Sequence, residues 1–350
     1  TATTFDYETN ASTYSIRVQA KDEFNATVEG NFTVTLINAN EPSTGSVTVS
    51  GMPVVGQTLT ASNTLADPDG LGAITYQWYR DGVPIVLGGT LQDGNGSVDG
   101  LDGANIVTFS SDGNHAYVTG GPDDAVSWYE RNASTGALTY GGMLKDGLGG
   151  VDGLDAARGV TLSSDGNHAY VTGEVDDAVS WYERNASTGA LSYQGVLKDG
   201  LGVVDGLDSA MSVTLSSDGN HAYVTGATDD AVSWYERNAS TGALSYLGML
   251  KNGIGGVDGL DGARSVTLSA DGNHAYVTGF YNDAVSWYER NASTGALSYL
   301  GVLKDGMGGV DGLDGATSVT LSSDGNHAYV TGYVDHAVSW FTRDPVTGAL

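Results

Sequence analysis

Two residue types recur along this chain at a spacing that invites a chemical reading. His115, His168, His221, His274 and His327 stand 53 residues apart, and so do Trp128, Trp181, Trp234, Trp287 and Trp340. Five imidazoles in register could bind a metal or relay protons, since histidine titrates near neutrality and ligates readily. Their context argues otherwise. Each follows an Asp-Gly-Asn turn at the mouth of an apolar strand, so the copies point away from one another, half exposed, and the expected state is a satisfied or solvated ring. The tryptophans lie on an alternating Val-Ser-Trp strand, where a large ring fills the contact between repeats better than it serves as a sugar-stacking platform. His336 breaks the pattern by standing where other repeats have the second Asp of a pair, and it has no nameable partner.

Carboxylates are the second candidate chemistry. Gly-rich segments such as DGLGGVDGLD carry Asp146, Asp152 and Asp155, and an acidic pair follows at Asp176 and Asp177. Calcium takes six to eight oxygen ligands and accepts such carboxylates, although the spacing is not that of an EF-hand loop. The competing reading is a turn in which Asp caps backbone amides and Gly supplies positive φ. One face of each repeat should be strongly negative, with Lys145, Lys198, Lys251 and Lys304 as its regular cations. The Asn-x-Ser sequons at Asn132, Asn185, Asn238 and Asn291 mark exposed turns.

Composition narrows the classes. The 350 residues carry 42 Asp or Glu against 14 Lys or Arg, a formal charge of -28, which excludes binding of nucleic acid or an anionic membrane by phosphate neutralisation. Cysteine is absent, so neither disulfides nor thiolate chemistry is available. No apolar run is long enough to span a bilayer, and no signal peptide stands at Thr1. Ending in mid-pattern at Leu350, the chain reads as a segment of a longer protein.

These residues need a scaffold, and the repeat supplies it. The second copy reads GLDAARGVTLSSDGNHAYVTGEVDDAVSWYERNASTGALSYQGVLKDGLGVVD. GVTLS is strand a; Asp165-Gly166 closes a hairpin into HAYVTG, strand b; AVSWYER is strand c; and the Asn185 to Gly189 turn leads into ALSYQGVLK, strand d. A period-two apolar pattern in a four-stranded meander repeated five times predicts an all-β fold, a partial propeller of 53-residue blades. SSDGNHAYVTG followed by AVSWYERNASTGALSY resembles the blades of the lactonase-type seven-bladed propeller family. That resemblance implies a propeller over 93–350 and admits lactone hydrolysis. It carries over no catalytic residue, because the nearly identical blades repeat every candidate, and the departures Arg158, Met211, Arg264, Tyr281 and His336 are not expected to assemble into a site. The last blade lacks strand d, so an arc with uncovered faces is expected.

Residues 1–42, with FDYETN, VQAKDEF and NANEP, resemble the C-terminal half of a cadherin-like sandwich. The resemblance implies calcium at Asp6, Glu8, Asp22, Asn40 and Glu41. Residues 43–92 are similar to a bacterial Ig-like sandwich whose Trp78 would fill the core, and Asp67 and Asp69 could reach back to the linker at Asn38 to complete a calcium site. The boundary is open, since residues 76–92 also read as strands c and d of a blade. Together these resemblances imply a segment of a large secreted or cell-surface bacterial protein, calcium-dependent in adhesion, with the propeller binding a surface glycan or protein, homophilic pairing included. A lactone hydrolase on a surface stalk and a passive spacer are the alternatives. The positions after each VTG vary, and Phe280, Tyr281 and Tyr333 are the expected exposed ligand contacts.

Overall fold

A computed structural model describes residues 7–8, 11–39, 42–52, 58–80, 83–85 and 89–350. The chain divides into two compact units, Thr1–Leu87 and Gly88–Leu350. No helix occurs among the described residues.

In the first unit Thr13–Lys21 pairs with Thr27–Thr35, Val47–Ser50 with Thr60–Asn63, and Trp78–Arg80 with Val83–Ile85, each an isolated antiparallel pair among the described residues. A single hairpin has no second sheet to cover its apolar face. Accordingly Ile16, Val18, Phe32 and Val49 are exposed, and Trp78, expected in a core, is exposed too.

The second unit is the repeat. Blades 1 to 4 are four-stranded sheets in sequence order a-b-c-d, and blade 5 has strands a, b and c. In blade 2 these are Ala157–Leu162, His168–Gly173, Ala178–Arg184 and Leu191–Lys198. Strand a of each blade packs beside strand a of the next, so these strands are innermost. In blade 2 strand b is buried along its whole length and strand c everywhere except Glu183, on both faces, as a sheet between two neighbours requires.

Four apolar cores join successive blades. Between blades 1 and 2, Tyr117, Val126 and Trp128 pack on Leu154, Val160, Val171 and Tyr182, and three further cores repeat this pattern. The tryptophans therefore do pack between blades. Among the described residues no such core joins blade 5 to blade 1. Trp340 of blade 5 is 72% exposed where Trp181 is 9%.

Each seam also has a polar lock, and the histidines belong to it. Tyr117 Oη donates to the Gly189 carbonyl of blade 2 at 2.9 Å. Arg184 of blade 2 donates to Tyr117 Oη at 2.5 Å and to its own blade's Gly166 carbonyl at 2.8 Å, and its Nη2 lies 2.9 Å from His115 Nδ1. The same set recurs with Arg237 on Tyr170 and His168, Arg290 on Tyr223 and His221, and Arg343 on Tyr276 and His274. These histidines are buried rather than half exposed, because the next blade covers the mouth of strand b. Gly189 has φ +72° and a Cβ there would stand 2.4 Å from the His115 ring, so the turn against the lock must be glycine.

Candidate functional site

The regular carboxylates resolve into two structural sets. Asp146 and Asp152 meet Asp176 with oxygens within 4.8 Å of one another, and Asp93, Asp99 and Asp123, Asp199, Asp205 and Asp229, and Asp305, Asp311 and Asp335 form equivalent clusters. Such oxygens suit a hard cation, and strand d supplies one: Lys198 Nζ lies 2.7 Å from Asp152 and 2.6 Å from Asp176. Lys251 reaches Asp229 at 3.0 Å, Lys304 reaches Asp258 at 2.7 Å and Lys145 reaches Asp123 at 3.7 Å. Backbone amides take other lone pairs, with Leu154 N–H on Asp146 and the Gly153 and Asp155 amides on Asp176. Burial raises the Asp176 carboxyl, but Lys198 and these amides outweigh it and hold it below the usual range.

Asp155, grouped with Asp146 and Asp152 from the sequence, does not join them. It lies beside Asp124 of blade 1, and burial, reinforced by that neighbouring carboxyl, pushes its pKa up. Asp124 sits at φ 53° and accepts the Ala156 amide of the next blade. Asp177, Asp230 and Asp283 repeat this reach across the seam, and His336 keeps the same backbone conformation at φ 54°.

In the first unit Asp22 Oδ1 accepts the Phe24 and Ala26 amides and thereby caps a hairpin turn. The Asp67–Asp69 loop does reach the linker: Asn38 Nδ2 donates to Asp69 Oδ1 at 2.7 Å, and Ser43 Oγ to Asp67 Oδ2 at 2.5 Å. Glu8 is exposed. Asp6, Asn40 and Glu41 lie outside the described residues.

Three of the departures from the repeat, Arg158, Met211 and Arg264, come together at the centre. Asn105, Arg158, Met211, Arg264 and Thr317 occupy one column of the repeat, 53 residues apart, and it differs between successive blades while Val, Thr and the preceding Ala are constant. In every blade the pairing of strands a and b shifts register at this column. A bulge of this kind re-aims a side chain, and here the five line one cavity of 280 Å³ with Ile106, Ser212, Ser265 and Ser318. Threonines of strand b satisfy the bulge: Thr172 Oγ1 accepts the Gly159 amide and donates to the Met211 carbonyl of the next blade. Thr119 and Thr225 likewise hold the Arg158 and Arg264 carbonyls.

Arg158 also lines a second cavity with Asn105, Pro122, Asp124 and Asp155, so the raised carboxyl and the guanidinium share one space. Arg158 is ion-paired through Nε and Nη2 with Glu174. Arg264 lies over the Phe280 ring, 4.7 Å from its centroid. Phe280, expected to be exposed, is half-buried under Tyr281 and Tyr333, with ring centroids 5.2 and 6.3 Å away; those two tyrosines are exposed as expected.

A family model described as lactonase, seven-bladed β-propeller, matches residues 106–254 and 255–350, well over half of the chain. The chain belongs to this lactonase family. No curated protein sequence matches it. Among solved structures, the lactonase propeller resembles the periplasmic gluconolactonase of Pseudomonas aeruginosa, with 20% identity and a TM-score of 0.57 over 69% of this chain. This chain spans 66% of that protein's length. A candidate 6-phosphogluconolactonase from Bacteroides uniformis is similar at 14% identity and TM-score 0.57, covering 97% of this chain and 94% of its own. A Lactobacillus plantarum protein aligns at 17% and 0.59, covering 96% and 94%. At these identities the likeness is one of fold. Five of the family's blades lie within the described residues.

Proposed function

We propose that this lactonase-family chain hydrolyses a small lactone at the mouth of its central cavity. One observation carries the reading. Blades that repeat almost letter for letter differ at the column of residues facing the common axis, which is where rotational symmetry must be broken for a reaction centre to have distinct parts.

The chemistry asks little of the site. Water adds to the lactone carbonyl carbon, the ring C–O bond breaks, the ring oxygen becomes a hydroxyl and the product is a hydroxy acid. In this reading Arg158, fixed by Glu174, donates to the carbonyl oxygen as negative charge develops on it, worth roughly 100- to 1,000-fold for one preorganised donor. The hydrogen-bonded Asp124 and Asp155 accept the proton of the attacking water and return one to the departing ring oxygen. The raised Asp155 carboxyl is suited to that exchange. Asp124 and Asp155 line the second cavity, of about 590 Å³ and within the roughly 300–1,000 Å³ of small-molecule sites, and Arg158 lines both it and the 280 Å³ central cavity. A propeller that only binds a surface ligand is the second reading, favoured by the exposed Tyr281 and Tyr333 beside this mouth.

Titrating acid release from a panel of five- and six-membered lactones tests the proposal. Hydrolysis should be measurable for at least one and should fall about 100-fold in Arg158→Gln. A panel left at its spontaneous rate, with the protein folded, would remove the hydrolase reading.

A further inference from the structure

In each covered seam a tyrosine enters a socket on the next blade. Tyr117 donates to the Gly189 carbonyl at 2.9 Å and accepts from Arg184 Nε, and Tyr170, Tyr223 and Tyr276 do the same with Gly242 and Arg237, Gly295 and Arg290, and Gly348 and Arg343. In blade 2 the walls of that socket are Leu154, Val171, Tyr182 and Leu191, packed on Tyr117, Val126 and Trp128.

Blade 1 carries the same socket 53 residues earlier, on its face turned away from blade 2. Its walls are Leu101, Val118, Tyr129 and Leu138, and here they line a cavity of about 470 Å³ together with Gly136 and the Gly89–Leu91 segment. Arg131 holds the pose of Arg184, with Nη1 on the Gly113 carbonyl at 3.1 Å where Arg184 holds Gly166 at 2.8 Å. Its Nε and Nη2 have no hydrogen-bond partner among the described residues, and neither has the Gly136 carbonyl. A Cβ on Gly136 would meet nothing within 4 Å, whereas on Gly189 it would strike the His115 ring at 2.4 Å. The donor, the acceptor and the apolar walls that take a tyrosine in four seams are therefore all present on blade 1, and they face open space.

A phenol hydroxyl can donate one hydrogen bond and accept another, which is the pair of bonds this socket offers. The cavity lies within the roughly 300–1,000 Å³ of small-molecule sites. We infer that it is a binding site for a neutral para-alkylphenol. The ring packs on the apolar walls, the hydroxyl donates to the Gly136 carbonyl and accepts from Arg131 Nε, and the para chain takes the space that Val126 and Trp128 fill in the next seam. The central cavity has no part in this site, and the inference does not rest on the hydrolase reading.

Titration calorimetry on the full chain compares 4-methylphenol, 4-methylanisole, which can accept but not donate, and toluene. The phenol should bind about 10- to 100-fold more tightly than toluene, as expected for hydrogen bonds that include one to a charged group, with the anisole between them. Arg131→Met should lose about tenfold of the 4-methylphenol affinity and leave toluene within twofold, its urea midpoint showing that the variant is folded. Val118→Phe, which fills the cavity, should abolish binding of all three. Absence of 4-methylphenol binding, equal affinity for the phenol and toluene, or phenol binding undiminished in Arg131→Met would each overturn the site. So would self-association at rising protein concentration that Tyr329→Phe removes, because the socket would then belong to the exposed Tyr329 of a second copy.

Discussion

The seams between blades and the column at the axis are built on the same 53-residue repeat, yet they obey opposite rules. At the seams Tyr170, His168, Arg237 and Gly242 recur as Tyr223, His221, Arg290 and Gly295 with nearly the same distances. At the axis, Asn105, Arg158, Met211, Arg264 and Thr317 share a backbone position and little chemistry. A seam residue is buried and fully bonded, so any change leaves a partner stranded. A bulge residue faces open space, its backbone held by a neighbouring threonine whatever the side chain is. Constancy therefore marks what holds the blades together, and variation marks what they can be used for.

Breaking a seam should have the largest effect. Arg237→Met leaves the His168 ring and the Gly219 carbonyl without their donor and the Tyr170 hydroxyl with only its bond to Gly242, at a cost of roughly 3 kcal/mol that is read as a fall in the urea midpoint. Arg131→Met, in blade 1, should cost about 1 kcal/mol or less, since among the described residues Arg131 reaches only the Gly113 carbonyl. Equal losses would erase the distinction between a seam and an uncovered blade face.

Acid should attack the seams next. His115, His168, His221 and His274 are held below their ordinary 6.5, by burial first and the facing arginine second. The unfolded chain then binds more protons than the folded one as pH falls below about 6.5. Stability supplied by the neutral rings is complete above that value and is lost toward their lowered folded pKa values. Asp112 and Asp218, held near 2 with hydrogen bonds from Ser110 and Ser216 among the causes, extend the loss to lower pH. Asp155, Asp208 and Asp261 on the opposite face shift upward and act in the other direction. Unfolding midpoints should therefore drop between pH 7.5 and 5.5, and His168→Asn, which keeps an acceptor but cannot be protonated, should make that drop shallower. A flat profile would mean that the rings are not held neutral.

The smallest effect belongs to the outer rim of the variable region. Replacing Tyr281 and Tyr333 by Ser should change KM for a hydrolysed lactone by a few-fold, roughly the worth of one aromatic contact, and leave the urea midpoint unmoved. A larger loss of stability would place these rings in the scaffold.

Much of this was legible beforehand for a physical reason: period-two strands, Asp-Gly turns and a fixed 53-residue step leave few arrangements other than blades. The packing role of Trp128 and Trp181 followed from the same alternation. The histidines were misjudged because their burial comes from the next blade, a contact between His115 and Arg184 that no local pattern contains. Asp155 was grouped with Asp146 and Asp152 by proximity in sequence, whereas the bend at Asp124 carries its neighbour across the seam. Arg158, Met211 and Arg264 stand out in the sequence as departures that offer no acid, base and electrophile set. Their common offset of 53 residues was the available signal, for in a rotational repeat equal offsets mean one ring. Trp78 was placed in a core that an isolated hairpin does not provide.

The division between scaffold and site is tested most directly by moving one side chain around the ring. The double exchange Arg158→Met with Met211→Arg conserves composition and charge and places each residue on a backbone that already accepts the other. If the account holds, the urea midpoint stays within the equivalent of about 1 kcal/mol, as for changes that strand no buried group, while lactone hydrolysis falls about 100-fold because the guanidinium has left Glu174 and Asp155. Hydrolysis undiminished by the exchange, or a seam-sized loss of stability, would contradict it.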